Sequence, residues 1–281
     1  ILRIGKIDRK AIEECPNLRV ITRPGVGVDN VDVKAATEHG IPVVICPAVN
    51  FHAVAEHTLT LILALSKNLK ESIEENQKGN FSIRSKYAAT EVSGKTISVL
   101  GFGKIGKEVA RLCKAIGMNI CVFDPFIKAE QATALGYKYK TDLLEAISEG
   151  DFVTLHMPST PETRNMISDK QLSVFKKTAF LINCARGDIV DENALIRALN
   201  GHLLAGAGLD VLTTEPMNSH NPLFEFSNVI ITPHMAAQTR ETTAKTVTMA
   251  AEGTLAVLKG QQWQSVCNPE VYKHPRWSSK A

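Results

Sequence analysis

Short apolar, β-branched runs alternate with amphipathic stretches along almost the whole of this chain. The clearest pair starts at Thr96-Ile97-Ser98-Val99-Leu100, an apolar run that predicts a buried strand. Beyond it Ile105, Val109, Leu112, Cys113 and Ile116 recur at helical spacing, and Gly117 is placed to stop that helix. Residues 120–123 predict the next strand, with Asp124 at its end. Upstream, strands over 18–22 and 41–45 flank a helix over 32–39, which Asn30 or Asp29 can cap and Gly40 can end. A long helix over 53–69 carries Val54, Thr58, Leu61, Ile62, Leu65 and Leu69 on one stripe. Residues 70–93 are polar and irregular, which predicts a helix end and then an excursion over the surface.

Downstream the alternation continues. Helices are predicted near 128–135, over 142–148 with Thr141 as cap, over 169–175 and over 192–200. Strands are predicted at 137–139, 152–156, 179–183, 204–209 and 229–232. A last helix over 240–258 carries Val247, Ala250, Ala251, Leu255 and Leu258 and is expected to pack with them on the first unit. The tail from Gly260 is polar and expected to be loose after Pro269. Strand and helix in turn predict an α/β protein with a parallel, doubly wound sheet, whose ligands gather at the carboxyl ends of the strands. Asp124, His156, residues 183–186, Asp210 and residues 232–234 stand at those ends.

Composition narrows the partners. At 281 residues and 44% apolar, the chain is sized for one large or two modest domains. A formal charge of +3, without a long basic block, points neither to nucleic acid nor to an anionic membrane. The most apolar helical run holds Glu56 and His57 and is too short and polar to span a bilayer. The six cysteines form no C-x-x-C pair and read as reduced thiols of a cytoplasmic protein, without a signal peptide and with no call for a metal. The chain opens abruptly on Ile1-Leu2-Arg3-Ile4, which looks like the end of a strand.

Gly101, Gly103 and Gly106 follow the first strand as G-x-G-x-x-G and open the helix, with Asp124 after the second strand. Gly101 suits a tight turn, Gly103 close approach of backbone to a pyrophosphate, and Gly106 close packing of helix on strand. The helix N-terminus offers N–H groups to phosphate, and Asp124 can accept from both ribose hydroxyls while repelling a 2′-phosphate. The cofactor expected is NAD.

Three ionisable residues lie past strand ends: Arg186, Glu215 and His234. Oxidising an alcohol needs a base for the hydroxyl proton, and histidine titrates in the right range. A carboxylate beside it would orient the ring and hold its proton. A guanidinium grips a carboxylate through two parallel hydrogen bonds, which suits an α-hydroxy or α-keto acid. Blander readings stand beside these: a loop histidine for His234, a loop brace for Arg186, a turn residue for Glu215. His156 reads as cofactor wall rather than base. His39, His52, His57, His202, His220 and His274 read as surface or packing residues.

At these residues the chain resembles the D-2-hydroxyacid dehydrogenase family. The resemblance rests on Gly25-Val26-Gly27-Val28-Asp29-Asn30-Val31-Asp32, Val54-Ala55-Glu56, the glycine loop, His156-Met157-Pro158, Asn183-Cys184-Ala185-Arg186-Gly187, Asp210 through Glu215-Pro216, and Thr232-Pro233-His234. It implies Arg186, Glu215 and His234 as catalytic residues. It implies NAD contacts from Gly101, Gly103, Lys104, Ile105, Gly106, Asp124, His156, Met157, Pro158, Cys184, Ala185, Arg186, Asp210 and His234. Val26 and Gly27, with Arg186 and His234, would meet the substrate in a cleft between two domains, and the helix from Val54 would help build a homodimer. Two Rossmann-like doubly wound domains are implied. The smaller, substrate domain is discontinuous: residues 1–50 form its first part, residues 51–236 the NAD-binding domain, and residues 237–281 return to it. By the same resemblance, the substrate domain is truncated at its N-terminus.

Within the family the chain is most similar to the short-type branch that acts on 3-phosphoglycerate in serine biosynthesis, in Asn-Cys-Ala-Arg-Gly and in Asn268-Pro269-Glu270-Val271. Arg3, Arg23 and Arg84 fall where that branch carries basic residues, and they read either as phosphate ligands or as solvated surface charge. A hydroxypyruvate or glyoxylate reductase would share every other motif. Glu215 argues against a formate dehydrogenase, which carries glutamine there. An NAD(H)-sensing protein like the corepressors built on this fold is a reading of a different class.

Overall fold

The computed structural model describes residues 1–2, 5–86 and 88–278. The chain divides into two compact units, residues Ile1–Asn50 with Gln238–Ala281 and residues Phe51–Ala237.

The first unit opens with α1 (Arg9–Glu13), β1 (Ile21–Thr22), α2 (Val33–Glu38) and β2 (Val43–Val44). Asp32, rather than Asn30 or Asp29, caps α2, accepting from the amide of Ala35 at 2.8 Å. Gly40 at φ +67° ends its turn. β1 and β2 pair in parallel, and Ile12, Ile21, Ala35, Ala36, Ile41 and Val43 form the core beside them. The sheet of this unit is two-stranded among the described residues.

The second unit begins with α3 (Phe51–Ser66) and a separate α4 (Leu69–Gln77). The predicted single helix therefore breaks at Asn68, which sits at φ +51°, and Leu69 is exposed instead of joining the buried stripe. A 3-10 turn over Phe81–Lys86 follows α4, and neither buries a side chain. Then come β3 (Thr96–Leu100), α5 (Lys104–Ala115), β4 (Asn119–Phe123), α6 (Glu130–Thr133), β5 (Lys138–Lys140), α7 (Leu143–Glu149) and β6 (Phe152–Leu155). After them stand α8 (Asp169–Leu172), β7 (Phe180–Asn183), α9 (Glu192–Asn200), β8 (Gly206–Leu209) and β9 (Val229–Ile231). α7 is capped by Asp142 rather than Thr141.

The seven strands form one parallel sheet in the order β5-β4-β3-β6-β7-β8-β9. Apolar clusters pack against both faces, as a sheet covered by helices on both sides requires. Strand order reverses between β3 and β6, so the carboxyl ends of those two strands mark the switch point where ligands bind in such sheets. Among the described residues no helix is long and apolar enough to cross a membrane.

The chain returns to the first unit through α10 (Arg240–Leu258) and ends in a 3-10 turn and α11 (Pro275–Ser278). The face of α10 that packs is the expected one only at Ala250. Thr242, Thr246, Ala250, Gly253 and Val257 are buried, while Val247 and Leu255 are 59% and 55% exposed. Small residues win because the helix approaches closely: a Cβ on Gly253 would lie 2.7 Å from Val44 and 2.8 Å from Trp263. Beyond Pro269 the described tail residues form a 3-10 turn and α11 rather than a loose end. Asn268 is fully buried, and the Trp277 indole donates to the carbonyl of Gly40 at 3.0 Å.

Candidate active site

The glycine loop leaves β3 at Gly101, whose φ of +93° suits glycine. A Cβ there would lie 2.8 Å from the backbone of His156, so β3 and β6 meet backbone to backbone at the switch point. A Cβ on Gly106 would lie 2.1 Å from the carbonyl of Gly101, which lets α5 close onto its own strand. Gly103 caps α5 and differs: a Cβ on it would meet nothing within 4 Å. The protein leaves that space open in front of the helix N-terminus, as a pyrophosphate cradle requires. Lys104 and Ile105 follow in the first turn of α5.

Asp124 closes β4 and holds this loop. Its Oδ2 accepts from the amide of Phe102 at 2.7 Å and its Oδ1 from that of Phe126 at 2.9 Å. The Tyr139 hydroxyl donates to the Asp124 carbonyl at 2.9 Å. Both carboxylate oxygens retain lone pairs for ribose hydroxyls.

His156, Met157 and Pro158 leave β6. His156 Nε2 sits 2.9 Å from Thr154 Oγ1, while its buried Nδ1 has no partner among the described residues. Burial pushes its pKa down to about 3, so the ring is neutral at physiological pH and unsuited to be the acid. An orphaned ring nitrogen beside the glycine loop fits a group that shares a hydrogen bond with a ligand. These features together fit a dinucleotide.

Asn183 ends β7 and clamps the next loop. Its Oδ1 accepts from the amide of Ala185 at 3.0 Å and its Nδ2 donates to the Arg186 carbonyl at 2.8 Å. Arg186 Nη1 donates to the Ala185 carbonyl at 2.8 Å. Gly187 is required by contact: a Cβ would lie 2.0 Å from the backbone carbon of Leu212. The Arg186 loop is thereby pressed against the segment that leads to Glu215. Glu192 on α9 braces that segment, accepting from the amide of Thr213 and, at 3.0 Å, from Asn221 Nδ2. Cys184 is buried, and burial pushes its thiol up to about 12, so it fills space as a neutral group.

His234 follows β9. Its Nδ1 lies 2.7 Å from Glu215 Oε2, and both side chains remain part-exposed. The hydrogen bond to Glu215 raises the pKa of His234 above its ordinary value; burial and the charge of Arg186 oppose this, and the charge of Asp210 adds to it. The structure thus brings Arg186, Glu215 and His234 into one electrostatic group. His234 sits at φ +49°, a left-handed backbone that costs a non-glycine residue roughly 1–2 kcal/mol.

Asp210 holds that backbone. Its carbonyl accepts the amide of His234 at 2.7 Å, and its buried carboxylate accepts the amides of Met235 and Ala236 at 2.9 Å each and the Thr232 hydroxyl at 2.6 Å. Burial alone would raise its pKa, but the hydrogen bonds from His57, Thr232, Ala236 and Met235 outweigh burial and lower it, so Asp210 is ionised. His57, expected to be a surface or packing residue, joins this group: its Nε2 is 2.9 Å from Thr232 Oγ1 and 3.4 Å from Asp210 Oδ1. His52, also expected to be a bystander, pairs with the buried Glu108 at 2.9 Å. No local sequence pattern marks either pair, since each joins residues far apart in the chain.

The remaining candidates lie elsewhere. Val26 and Gly27 belong to the first unit, in a loop where Arg23 Nε donates to the Gly27 carbonyl at 3.0 Å. Arg23 Nη1 donates to the Leu2 carbonyl at 2.7 Å, so this guanidinium braces its own loop. Arg84 stacks 5.3 Å over the ring of Phe81, in the turn after α4. Arg3 lies outside the described residues.

Relatives match most of the chain. D-3-phosphoglycerate dehydrogenase of Methanocaldococcus jannaschii is 42% identical over 95% of this chain and 51% of its own length. D-3-phosphoglycerate dehydrogenase 2, chloroplastic, of Arabidopsis thaliana is 42% identical over 96% and 44%. The chain therefore spans about half the length of these curated relatives. Among solved structures, the NAD-dependent formate dehydrogenase of Staphylococcus aureus in complex with NAD superposes with a TM-score of 0.85 at 32% identity, covering 93% of this chain and 78% of that one. Residues 59–236, more than half of the chain, match the model of the D-isomer specific 2-hydroxyacid dehydrogenase NAD-binding domain, and the chain belongs to that family.

Proposed function

We propose that this chain acts as an NAD-dependent D-2-hydroxyacid dehydrogenase, with 3-phosphoglycerate and 3-phosphohydroxypyruvate as its substrate pair. The observation that carries the reading is the His234–Glu215 pair at 2.7 Å, with Arg186 in its field, on the sheet edge that bears the glycine loop. The 42% identity to D-3-phosphoglycerate dehydrogenases supports the choice of acid.

NAD, when bound, would take or supply the hydride at C2. The amides around Gly101, Gly103 and Lys104–Gly106 would hold the pyrophosphate, and Asp124 the ribose. His156, Met157, Pro158, residues 184–186, Asp210 and His234 would line the rest of the cofactor. Arg186 grips the substrate carboxylate; the family resemblance adds Val26 and Gly27 as substrate contacts. Glu215 occupies Nδ1 of His234, which fixes the proton there and leaves Nε2 to exchange a proton with the C2 oxygen. In reduction the imidazolium donates; in oxidation the neutral ring accepts. The raised pKa of His234 favours reduction near neutral pH.

One observation favours a second reading, an unphosphorylated acid such as hydroxypyruvate or glyoxylate: Arg23 spends donors on backbone carbonyls and Arg84 rests on Phe81. A homodimer is supported by Leu69, Ile73 and Phe81, exposed at 44%, 53% and 68% on α4 and its following turn. Six free cysteines support a reducing, cytoplasmic setting.

The test is NADH consumption by the protein with 3-phosphohydroxypyruvate, hydroxypyruvate, glyoxylate and pyruvate in parallel. Preference for the phosphorylated acid is expected. Preference for another acid selects the second reading, and tight NADH binding without any turnover overturns both in favour of a sensor. His234→Ala should lose ~10²–10⁴-fold in turnover with NADH affinity held; equal loss of NADH binding would remove its acid–base role.

A further inference from the structure

We propose that His57 is a positioning residue for His234: from α3 it donates to the Thr232–Asp210 pair and so fixes the loop that presents the acid–base ring. The direction of the bonds follows from proton counting. An ionised carboxylate can only accept, so the Thr232 hydroxyl, 2.6 Å from Asp210 Oδ1, spends its proton there. The oxygen of Thr232 must then accept from His57, 2.9 Å away, which places a proton on His57 Nε2. That same N–H also faces Asp210 Oδ1 at 3.4 Å. Among the described residues His57 is the donor to this network that comes from a helix, the others being backbone and hydroxyl groups of residues 232–236. It ties the loop after β9 to α3, whose Val54, Ala55, Thr58, Leu61 and Ile62 are buried beside it.

The consequence for His234 runs through two routes with the same sign. Asp210 holds the amides of His234, Met235 and Ala236, and through them a left-handed backbone that would otherwise relax. Relaxation loosens the 2.7 Å contact with Glu215. Without the His57 proton the buried Asp210 also carries its charge less readily, and that charge favours the protonated His234. The charged groups facing His234 are Glu215, Arg186 and Asp210. Those facing Asp210 are His57 and His234, with the Cys184 thiol at the end of β7 also in its field.

The inference rests on the acid–base reading of His234, and the experiment separates the two. We would measure kcat and KM for reduction of 3-phosphohydroxypyruvate and hydroxypyruvate, the pH profile, NADH affinity by fluorescence, and the His234 ring titration by NMR. The variants are His57→Phe, which keeps a ring without a donor, and His57→Gln, whose amide reaches about as far as Nε2. His57→Phe should lose ~10-fold or more in kcat, within the ~10²-fold that a misplacement of about 1 Å can cost. Its falling pH limb and the NMR titration of His234 should both move to lower pH, with NADH affinity unchanged. His57→Gln should restore most of kcat and the position of the limb.

A wild-type rate, limb and titration in His57→Phe overturn the proposal. So does a loss of rate with an unmoved titration and no rescue by glutamine, the pattern of a merely structural residue. If His57→Phe fails to fold, His57→Asn replaces it, since asparagine is too short to reach Thr232; equal behaviour of the Gln and Asn variants then overturns the idea. His234→Ala with undiminished turnover would instead remove the acid–base reading itself.

Discussion

Gly103→Ala separates what the glycine loop does for the fold from what it does for a ligand. At this position φ is −72° and ψ is −160°, a conformation alanine adopts freely, and the added Cβ would meet nothing within 4 Å. Two small terms then compete. Removing a glycine from the unfolded chain stabilises by about 0.4–1 kcal/mol. Alanine is a poorer helix N-cap than glycine by roughly the same amount. They nearly cancel, so Tm should stay within about 2 °C of the parent. The methyl group, however, enters the space in front of the first amides of α5. Losing one charge-assisted hydrogen bond there costs about 1.5–3 kcal/mol, so NADH should bind about 10- to 150-fold more weakly. Gly106→Ala is the contrast: its Cβ would lie 2.1 Å from the Gly101 carbonyl, backbone against backbone. Overpacking of that kind costs about 1–3 kcal/mol or more, and Tm should fall by several degrees. Thermal melts and NADH fluorescence titrations on the two variants read both quantities. Wild-type NADH affinity in a folded Gly103→Ala protein would refute the placement of the pyrophosphate at this loop.

Other outcomes follow from single contacts. Glu215→Gln removes the charge that raises the pKa of His234; reduction needs the imidazolium, so kcat/KM should begin to fall at a lower pH than in the parent, and a limb that stays in place would detach Glu215 from His234. Asp124→Ala should weaken NAD more than NADP, because it removes an acceptor for ribose hydroxyls and a repeller of 2′-phosphate; paired dissociation constants with an unchanged ratio would take Asp124 out of the ribose site. Asn268→Ala strips three hydrogen bonds from a buried amide, to the Val43 amide, the Ile41 carbonyl and Thr37. With the Val43 amide left unsatisfied the loss should be about 2–4 kcal/mol, read by urea unfolding, and a loss under ~0.5 kcal/mol would show the tail to be loosely held.

What the sequence made legible is what is local. Strand, glycine turn, helix, strand and acid lie within residues 96–124, and each residue type there answers to a neighbour a few positions away. The predicted helix after β3 forms over Lys104–Ala115 and Gly117 ends it at φ +89°. The same logic carried the alternation of strands and helices through to the seven-stranded sheet. Periodicity failed where close approach mattered more than apolar area. On α10 the Val247, Ala250, Ala251, Leu255 and Leu258 positions looked like the packing face, and of these Ala250 is buried. Gly253 and the threonines beside it let the helix approach Val44 and Trp263, and Thr22 meets Thr254 through their hydroxyls at 2.7 Å. A hydropathy pattern weighs a threonine as half-polar and a glycine as nothing, so it cannot see a helix that packs through its small residues.

The site divides along the same line. Arg186, Glu215 and His234 could be picked out because each stands just past a strand end, where a doubly wound sheet gathers its chemistry. His57 could not, because its position in a helix says nothing of its partner on the far side of the chain order. Its role is visible only once β8 and β9 set Asp210 and Thr232 side by side and α3 crosses behind them. A strand-end rule finds groups that can face a ligand. It has no term for a group that faces the residue behind one, and a left-handed His234 needs such support: its amide meets the carbonyls of Asp210 and Thr232, the buried Asp210 carboxylate that holds the next two amides must stay ionised, and on the proposed reading each donor that keeps it so serves the acid–base residue without touching the ligand.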